Sequence, residues 1–474
     1  MLYFGMSKRL INIDRQTPML LPPDLRDWVP QRHMVHFIIE AIEHLDLNCF
    51  RINWRGSGSE QYPPSTLLAL LVYCYATGRF SSRRIEEATY SDVVVRYICA
   101  NRHPDHDTIC TFRRKNAELF KEMFVKVLAM AAELGALKKV GSISVDGTKV
   151  HANASKHSAV SYKRAGDMIE LLQSEVESLV KKAEDADSTP LDDGLSIPEE
   201  IARREERISK LEKARAVIEE RFEAIHKEKQ ADYELKVKAR EEARSAGRKP
   251  RGREPKVPAD KPSDKAQYNF TDPESRIMKT GNRSGFEQSY NAQAAVDADG
   301  SYLILGQRVS DHPNDKQELV PTVKCVDDPV RKVNEVLADS GYFSEEAVQE
   351  VEANGEIVVY AAVEKLPHGR RVAELEKHRD PEPPAQDASM IEQMRWRLRT
   401  KNGKERYKLR KQTVEPVFGI IKEAMGFRQF HLRGRPKVEL EWNLVSLAYN
   451  MRRMFNLVGE ECLPEAGWLH NYGY

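Results

Sequence analysis

Apolar and polar positions along this chain change period several times, and each change marks an element. From Met34 to Lys138 the apolar residues recur at helical spacing. Met34, Phe37, Ile38, Ile42 and Leu45 share one face, and Leu67 to Tyr75 form a second apolar segment after the break at Pro63 and Pro64. Ser81 and Ser82 stand where a helix cap is expected. At Gly141 the period becomes two: Ile143 and Val145 alternate with small polar residues and lead to Asp146, after which Gly147 lets the backbone bend. A short strand ending in a carboxylate is predicted.

From Tyr162 the texture is helical and highly charged. Met168, Leu172, Val176, Leu179 and Ala183 make one stripe, and Ile201, Ile208, Leu211, Ile218, Phe222 and Ile225 make another. Their separations are heptad-like, and the stretch from Asp185 to Pro198 divides them, so an antiparallel helical hairpin is predicted. Self-packing and pairing of two copies are both open. Period two returns at Phe286 to Ala295 and Ser301 to Val309, as two strands joined at Asp297 to Gly300. An amphipathic helix through Leu319, Val323 and Val326 precedes an apolar run, Val333 to Ala338, that delivers Asp339 before a Ser-Gly turn.

That strand, helix, strand order predicts a crossover placing Asp339 beside Asp146 in a mainly parallel arrangement, with ligands collecting at the carboxyl ends of the strands. Ile357 to Val363 reads as a fifth strand and Lys365 to Ser389 as a surface loop. Val414, Phe418 and Ile421 set Glu415 on a helix, and Leu444, Leu447, Ala448 and Met451 mark a last packing helix. The expected class is α/β, with a mixed five-stranded sheet interrupted by the charged hairpin and preceded by an all-α region.

A chain of 474 residues suggests two to three units. The expected divisions are 1–138 (helical), 139–460 (sheet-containing, with the hairpin and a basic linker at 160–265) and a tail at 461–474. With 74 Lys and Arg against 73 Asp and Glu, net charge is +1, so no global basic field announces a nucleic-acid partner. Any such partner must meet local patches. Arg83, Arg84, Arg96 and Arg102 supply one among the N-terminal helices, where a DNA end-binding module and an ordinary helical domain with a solvated face are both open.

Between Arg395 and Lys411 lies the most basic stretch, which reads either as a solvated helix face or as a phosphate-neutralising surface. Arg251 and Arg253 lie in an Arg-Gly-Arg flanked by prolines. This resembles an AT-hook whose arginines enter a narrow minor groove, although Glu254 stands where proline is usual and a basic linker explains it as well. Arg433 and Arg435 echo the motif beside the last acid, where backbone contact is the expected role.

Cys49, Cys74, Cys99, Cys110, Cys325 and Cys462 are scattered without paired short spacings, which argues against a zinc site and a disulfide framework. No apolar run approaches the ~20 residues of a membrane span, so a soluble, cytoplasmic protein is expected.

Asp146, Asp339 and Glu415 are the candidate chemistry. Magnesium is held by oxygen ligands, commonly one or two carboxylates plus phosphate, and paired ions stabilise both oxygens of an in-line displacement. In a chain with 73 acids, solvated surface carboxylates are the bland alternative. An Asp-Gly-Thr after a strand also appears in haloacid-dehalogenase-type phosphatases, but those require an Asp where Ser144 stands.

The words around the three acids resemble the DDE transposases of bacterial insertion sequences, whose catalytic domain has a ribonuclease H-like fold. The Tyr-Arg-Glu-Lys signature of that family is matched by Tyr407, Arg410, Glu415 and Lys422. Arg410 lies one residue further from Glu415 than usual, and Lys411 has the expected separation. The words from Pro104 to Arg114, including Arg113 and Arg114, resemble the segment closing the N-terminal domain of this branch, thought to engage transposon ends. Lys149 to Lys156 also matches, with His151 and Asn153 near the site or in ordinary turns.

The resemblance implies Asp146, Asp339 and Glu415 as catalytic ligands of two Mg²⁺ ions, with Mn²⁺ able to substitute. It implies cleavage of element ends, transfer of the freed 3′-hydroxyl into target DNA, a homodimer on paired ends, and a nucleoid-associated bacterial setting. A non-catalytic DNA-binding relative is the alternative.

Overall fold

The computed structural model describes residues 24–48, 50, 61–186, 197–245, 254–280, 285–364, 380–385 and 388–458. They form two compact units: described residues up to Ala117, with Val458, belong to one, and Glu118–Leu457 to the other.

The first unit is helical. Its elements are α1 (Met34–Glu43), α2 (Pro64–Ala76), α3 (Ser82–Ser91), α4 (Val93–Ile98) and α5 (His106–Lys115). Pro64 opens α2, where its missing N–H leaves nothing unpaired. The run Leu67–Ala76 is buried throughout. Ser81 caps α3 by accepting from Arg84 N. Asp92 caps α4 and holds Arg79 at 2.6 Å, and Asp105 caps α5 through Thr108 N at 2.6 Å.

The second unit begins at Glu118, within α6 (Ala117–Glu133), and is built round a mixed sheet. The sheet strands are β1 (Val140–His151), β4 (Arg276–Lys279), β5 (Phe286–Asp297), β6 (Ile304–Ser310), β7 (Lys332–Ala338) and β8 (Val358–Ala361), in the order β4-β5-β1-β7-β8 with β6 also on β5. Pairings of β5 are antiparallel, whereas β1–β7 and β7–β8 are parallel.

Six strands replace the five expected. The 12-residue β5 is long enough to hold β4 along residues 286–289 and β6 along 291–296. Helix α9 (Leu319–Val323) is shorter than expected, and α10 (Glu345–Glu352) joins β7 to β8. Three helices follow: α11 (Met390–Arg399), α12 (Lys401–Gly419) and α13 (Arg435–Val458). Trp442 on α13 donates to the Gln293 carbonyl at 3.0 Å, and the Asn450 side chain bonds both Ile304 N and O. Those contacts fasten α13 to β5 and β6.

Between β1 and β4 lie two long helices packed on each other, α7 (Tyr162–Ala186) and α8 (Ile197–Ser245). Ala165, Ile169 and Leu172 pack on Leu211 and Ala214. A two-stranded ribbon of β2 (Ala159–Ser161) and β3 (Gln267–Asn269), which the sequence reading lacked, forms their root. At 49 residues α8 is roughly 73 Å long and outruns α7.

Candidate active site

Parallel register places the first two acids together. Val145 on β1 pairs with Ala338 on β7, so Asp146 and Asp339 are the next residues on neighbouring strands. Asp339 follows the end of β7, as expected. Asp146 does not end its strand: β1 continues to His151 because β5 stays paired with it as far as Ser289. The expected bend at Gly147 is therefore absent, and Asp146 sits where β1 loses its parallel neighbour but keeps its antiparallel one.

The electrostatics follow from that placement. Burial, then the nearby Asp339 carboxylate, push Asp146 up to about 7 from an ordinary 3.8, against the Gly147 N–H and Arg410, which pull it down. Asp339 accepts from the Gly341 N–H at 2.7 Å. Glu415 arrives from α12 and is largely exposed. Arg410, one helical turn earlier and buried, lies between two of the acids: Nη1 is 3.7 Å from Asp146 Oδ2 and Nη2 is 3.8 Å from Glu415 Oε1. Its guanidinium carbon stands 5.9 Å from the centre of the Tyr407 ring. Lys411 is exposed, so Arg410 is the base that meets the acids despite the extra residue of spacing.

Beneath the acids lies a polar floor. Gly147 faces Gln293 and Lys149 faces Asn291 across the β1–β5 ladder. A Cβ at Gly147 would lie 2.3 Å from Gln293 Nε2 and 2.8 Å from both Asn291 Oδ1 and Asp315 Oδ1. The missing side chain lets these groups close over the strand. Asp315 accepts from Asn291 Nδ2 at 2.6 Å and Gln293 Nε2 at 2.8 Å, and Lys149 Nζ lies 3.6 Å away. Burial lowers the Lys149 pKa, and the Tyr342 hydroxyl, also buried, donates to Gln293 Oε1.

Two adjacent, mutually repelling carboxylates with one partly buried fit a divalent cation, because one or two carboxylates and a phosphate are a common magnesium set. Among the described residues, no group of three acid, His or Cys side chains is arranged to hold one ion together. Glu415 meets Asp146 through Arg410.

The remaining predicted residues divide. Lys422, in a π-helical turn (Ile420–Ala424), is half-buried and donates to the Lys149 carbonyl at 3.0 Å; burial lowers its pKa. Arg433 is exposed and donates to the Asn153 carbonyl at 2.8 Å. Arg435 is held by Glu439 at 3.1 Å, beside Asp311. Arg114 is exposed, but Arg113 is buried and bonded to the Tyr75 hydroxyl at 2.8 Å, so its guanidinium serves the helical core and is not presented to DNA. Arg251 and Arg253 lie outside the described residues.

His103 bonds Thr89, His106 bonds Glu86, and His312 bonds Glu318, whereas Asp311 pairs with Arg276. These side chains are engaged by those partners. The cysteines described, Cys74, Cys99, Cys110 and Cys325, are free.

Sequence reading missed Asn291, Gln293 and Tyr342. One signal was present: Asn291 and Gln293 are polar at alternate positions among Tyr290, Ala292, Ala294 and Ala295, hence on one face. A buried face with two amides signals a network, because buried polar groups need partners.

Two stretches match known family models. Residues 380–455 match the model described as Transposase DDE domain, and residues 23–115 match that described as Transposase domain (DUF772). The first contains Tyr407, Arg410, Glu415 and Lys422, and neither contains Asp146 or Asp339. No curated protein and no solved structure matches the chain.

Proposed function

We propose, from the premise that the chain belongs with the DDE transposases of insertion-sequence type, that it cuts DNA at the ends of its element and joins the freed 3′-hydroxyl to target DNA. The observation that carries this reading is the side-by-side placement of Asp146 and Asp339, with Glu415 brought to the same guanidinium as Asp146. The ribonuclease H-like reading of the mixed sheet belongs to the proposal, as do Mg²⁺ as the metal, a dimer on paired ends and a nucleoid setting. Among the described residues no helix is long and apolar enough to cross a membrane.

Asp146, Asp339 and Glu415 would between them hold two ions, which would supply charge for the attacking and leaving oxygens of the phosphodiester. The protein's own part is positioning. Asp146 is fixed by pairing on β5 and Asp339 by the Gly341 N–H, and Asn291, Gln293 and Asp315 form a hydrogen-bonded polar network beside them. Arg410 and Lys422 bring cationic groups to where phosphate would lie, and Tyr407 supports Arg410. Lys411, Arg433, Arg435 and Arg114 are assigned to backbone phosphates, which position DNA without reading its sequence. Arg251 and Arg253 are assigned to the minor groove.

The test is cleavage of labelled DNA carrying the repeats that flank the gene, with Mg²⁺ or Mn²⁺. Metal-dependent nicks at the element boundary, absent in Asp339→Asn, are expected. Binding without nicks in any metal would overturn the catalytic reading and leave a DNA-binding relative.

A further inference from the structure

At the root of the two long helices lies a cavity of ≈ 300 Å³ unconnected to the roles assigned above. Arg164 on α7 and Arg207 on α8 face it from opposite helices, joined by Lys210 and His157, while Met168 and Phe270 supply apolar wall. No acid lines it, although acids and bases are nearly equal in number in the chain. Lys210 is held by Glu206 at 2.7 Å, whereas Arg164 and Arg207 make no ion pair among the described residues. Two like charges thus converge on one space without a counter-charge.

The aromatic wall is prepared as well. Phe270 is 45% exposed, so its ring is available. Its backbone N–H donates to the Ser158 carbonyl at 2.9 Å, and Tyr268 meets the ring edge-on at 5.4 Å between centroids. An anchored aromatic face beside unpaired guanidinium groups is what a nucleotide unit requires, since every base offers a stacking face and every phosphate a charge. The cavity stands at the small end of the ~300–1,000 Å³ typical of ligand pockets, which suits one such unit.

We infer that this cavity is a second nucleotide-binding site, in which Arg164 and Arg207 take a phosphate and Phe270 stacks on the attached base. The occupant is either one unit of a DNA strand or a free nucleotide. The strand source rests on the transposase reading, and the free-nucleotide source does not.

The probe is an oligothymidylate containing one 5-iododeoxyuridine, photocrosslinked to the full-length protein without divalent metal and mapped by mass spectrometry, with free dTMP as competitor. Crosslinking to the peptide carrying Phe270 is expected. In Arg164→Ala/Arg207→Ala, affinity should fall about tenfold and the slope of log K against log salt should shrink by about 0.7, the share of one phosphate contact on a single strand. Competition by dTMP at the oligonucleotide's own concentration range identifies a free nucleotide; its failure to compete identifies the strand. Crosslinks only outside residues 157–168, 207–211 and 268–270, with an unchanged salt slope, would overturn the inference. End cleavage by the same preparation, measured with Mg²⁺, separates that failure from failure of the catalytic reading, because either result can occur without the other.

Discussion

Arg410 Nη1 lies 3.7 Å from Asp146 Oδ2, while the other end of the same guanidinium faces Glu415 at 3.8 Å. One side-chain cation therefore stands against two acids that the proposed chemistry needs. A divalent ion at those carboxylates competes with it. Arg410→Ala is expected to enlarge the rise in melting temperature produced by Mg²⁺, and to slow end cleavage at least about tenfold because phosphate loses a neighbouring charge. Thermal denaturation across a Mg²⁺ titration checks the first part. An unchanged metal-induced shift would show that ion and guanidinium do not share these groups.

The raised Asp146 pKa sets a pH dependence for the metal-free protein. The folded value, about 7, lies above the ordinary 3.8. The proton-linked contribution to stability is whole below 3.8, is lost as pH rises, and is gone above 7. Holding the charged form above that pH costs the fold up to about 4 kcal/mol by linkage. Asp146→Asn should accordingly stabilise the metal-free protein by about 1–3 kcal/mol at pH 8 and leave it unchanged near pH 4. Urea denaturation with a chelator present, at both pH values, measures this; a variant less stable than wild type at pH 8 would contradict it.

Loss of any one acid is expected to lower end cleavage by about three orders of magnitude or more while end binding stays within about twofold, since metal-dependent stabilisation acts chiefly on the transition state. Asp146→Ala, Asp339→Ala and Glu415→Ala are compared by cleavage and by mobility shift. Normal cleavage in one of them would remove that residue from the catalytic set.

The legible part of this site was the part that regular spacing carries. Asp339 could be placed because an apolar run and a Ser-Gly turn bracket it, and the crossover order brought it to Asp146. The continuation of β1 was hidden, because a strand's length depends on its partner: β5 holds β1 through His151, a fact stored 140 residues away. Arg410 was ambiguous for a similar reason. Spacing favours Lys411, but the side chain that turns inward is decided by which face of α12 packs on the sheet, and Arg410 is on it. Burial of Arg113 was equally invisible, since its partner Tyr75 lies on another helix.

Gly147 is expected to tolerate no side chain. The added methyl of Gly147→Ala would meet Gln293 Nε2 at 2.3 Å inside a buried network. Overpacking of this kind typically costs about 1–3 kcal/mol, and cleavage should fall with it because Asp146 is the adjoining residue. Gln293→Ala in the same chain removes the obstructing amide and should restore part of the lost stability. Thermal denaturation of the two variants checks this, and an equal loss in the double variant would place the strain elsewhere.

The β1–β7 pairing and the arrival of α12 also govern when the proposed site can be complete. Asp146 leaves the ribosome about 270 residues before Glu415, an interval of roughly 13–55 s at ordinary elongation rates of about 5–20 residues per second. During that interval the nascent chain holds its first acid without its last, so no complete site exists while the message is still being read between them. The proposed activity would thereby be deferred by the order of the chain itself.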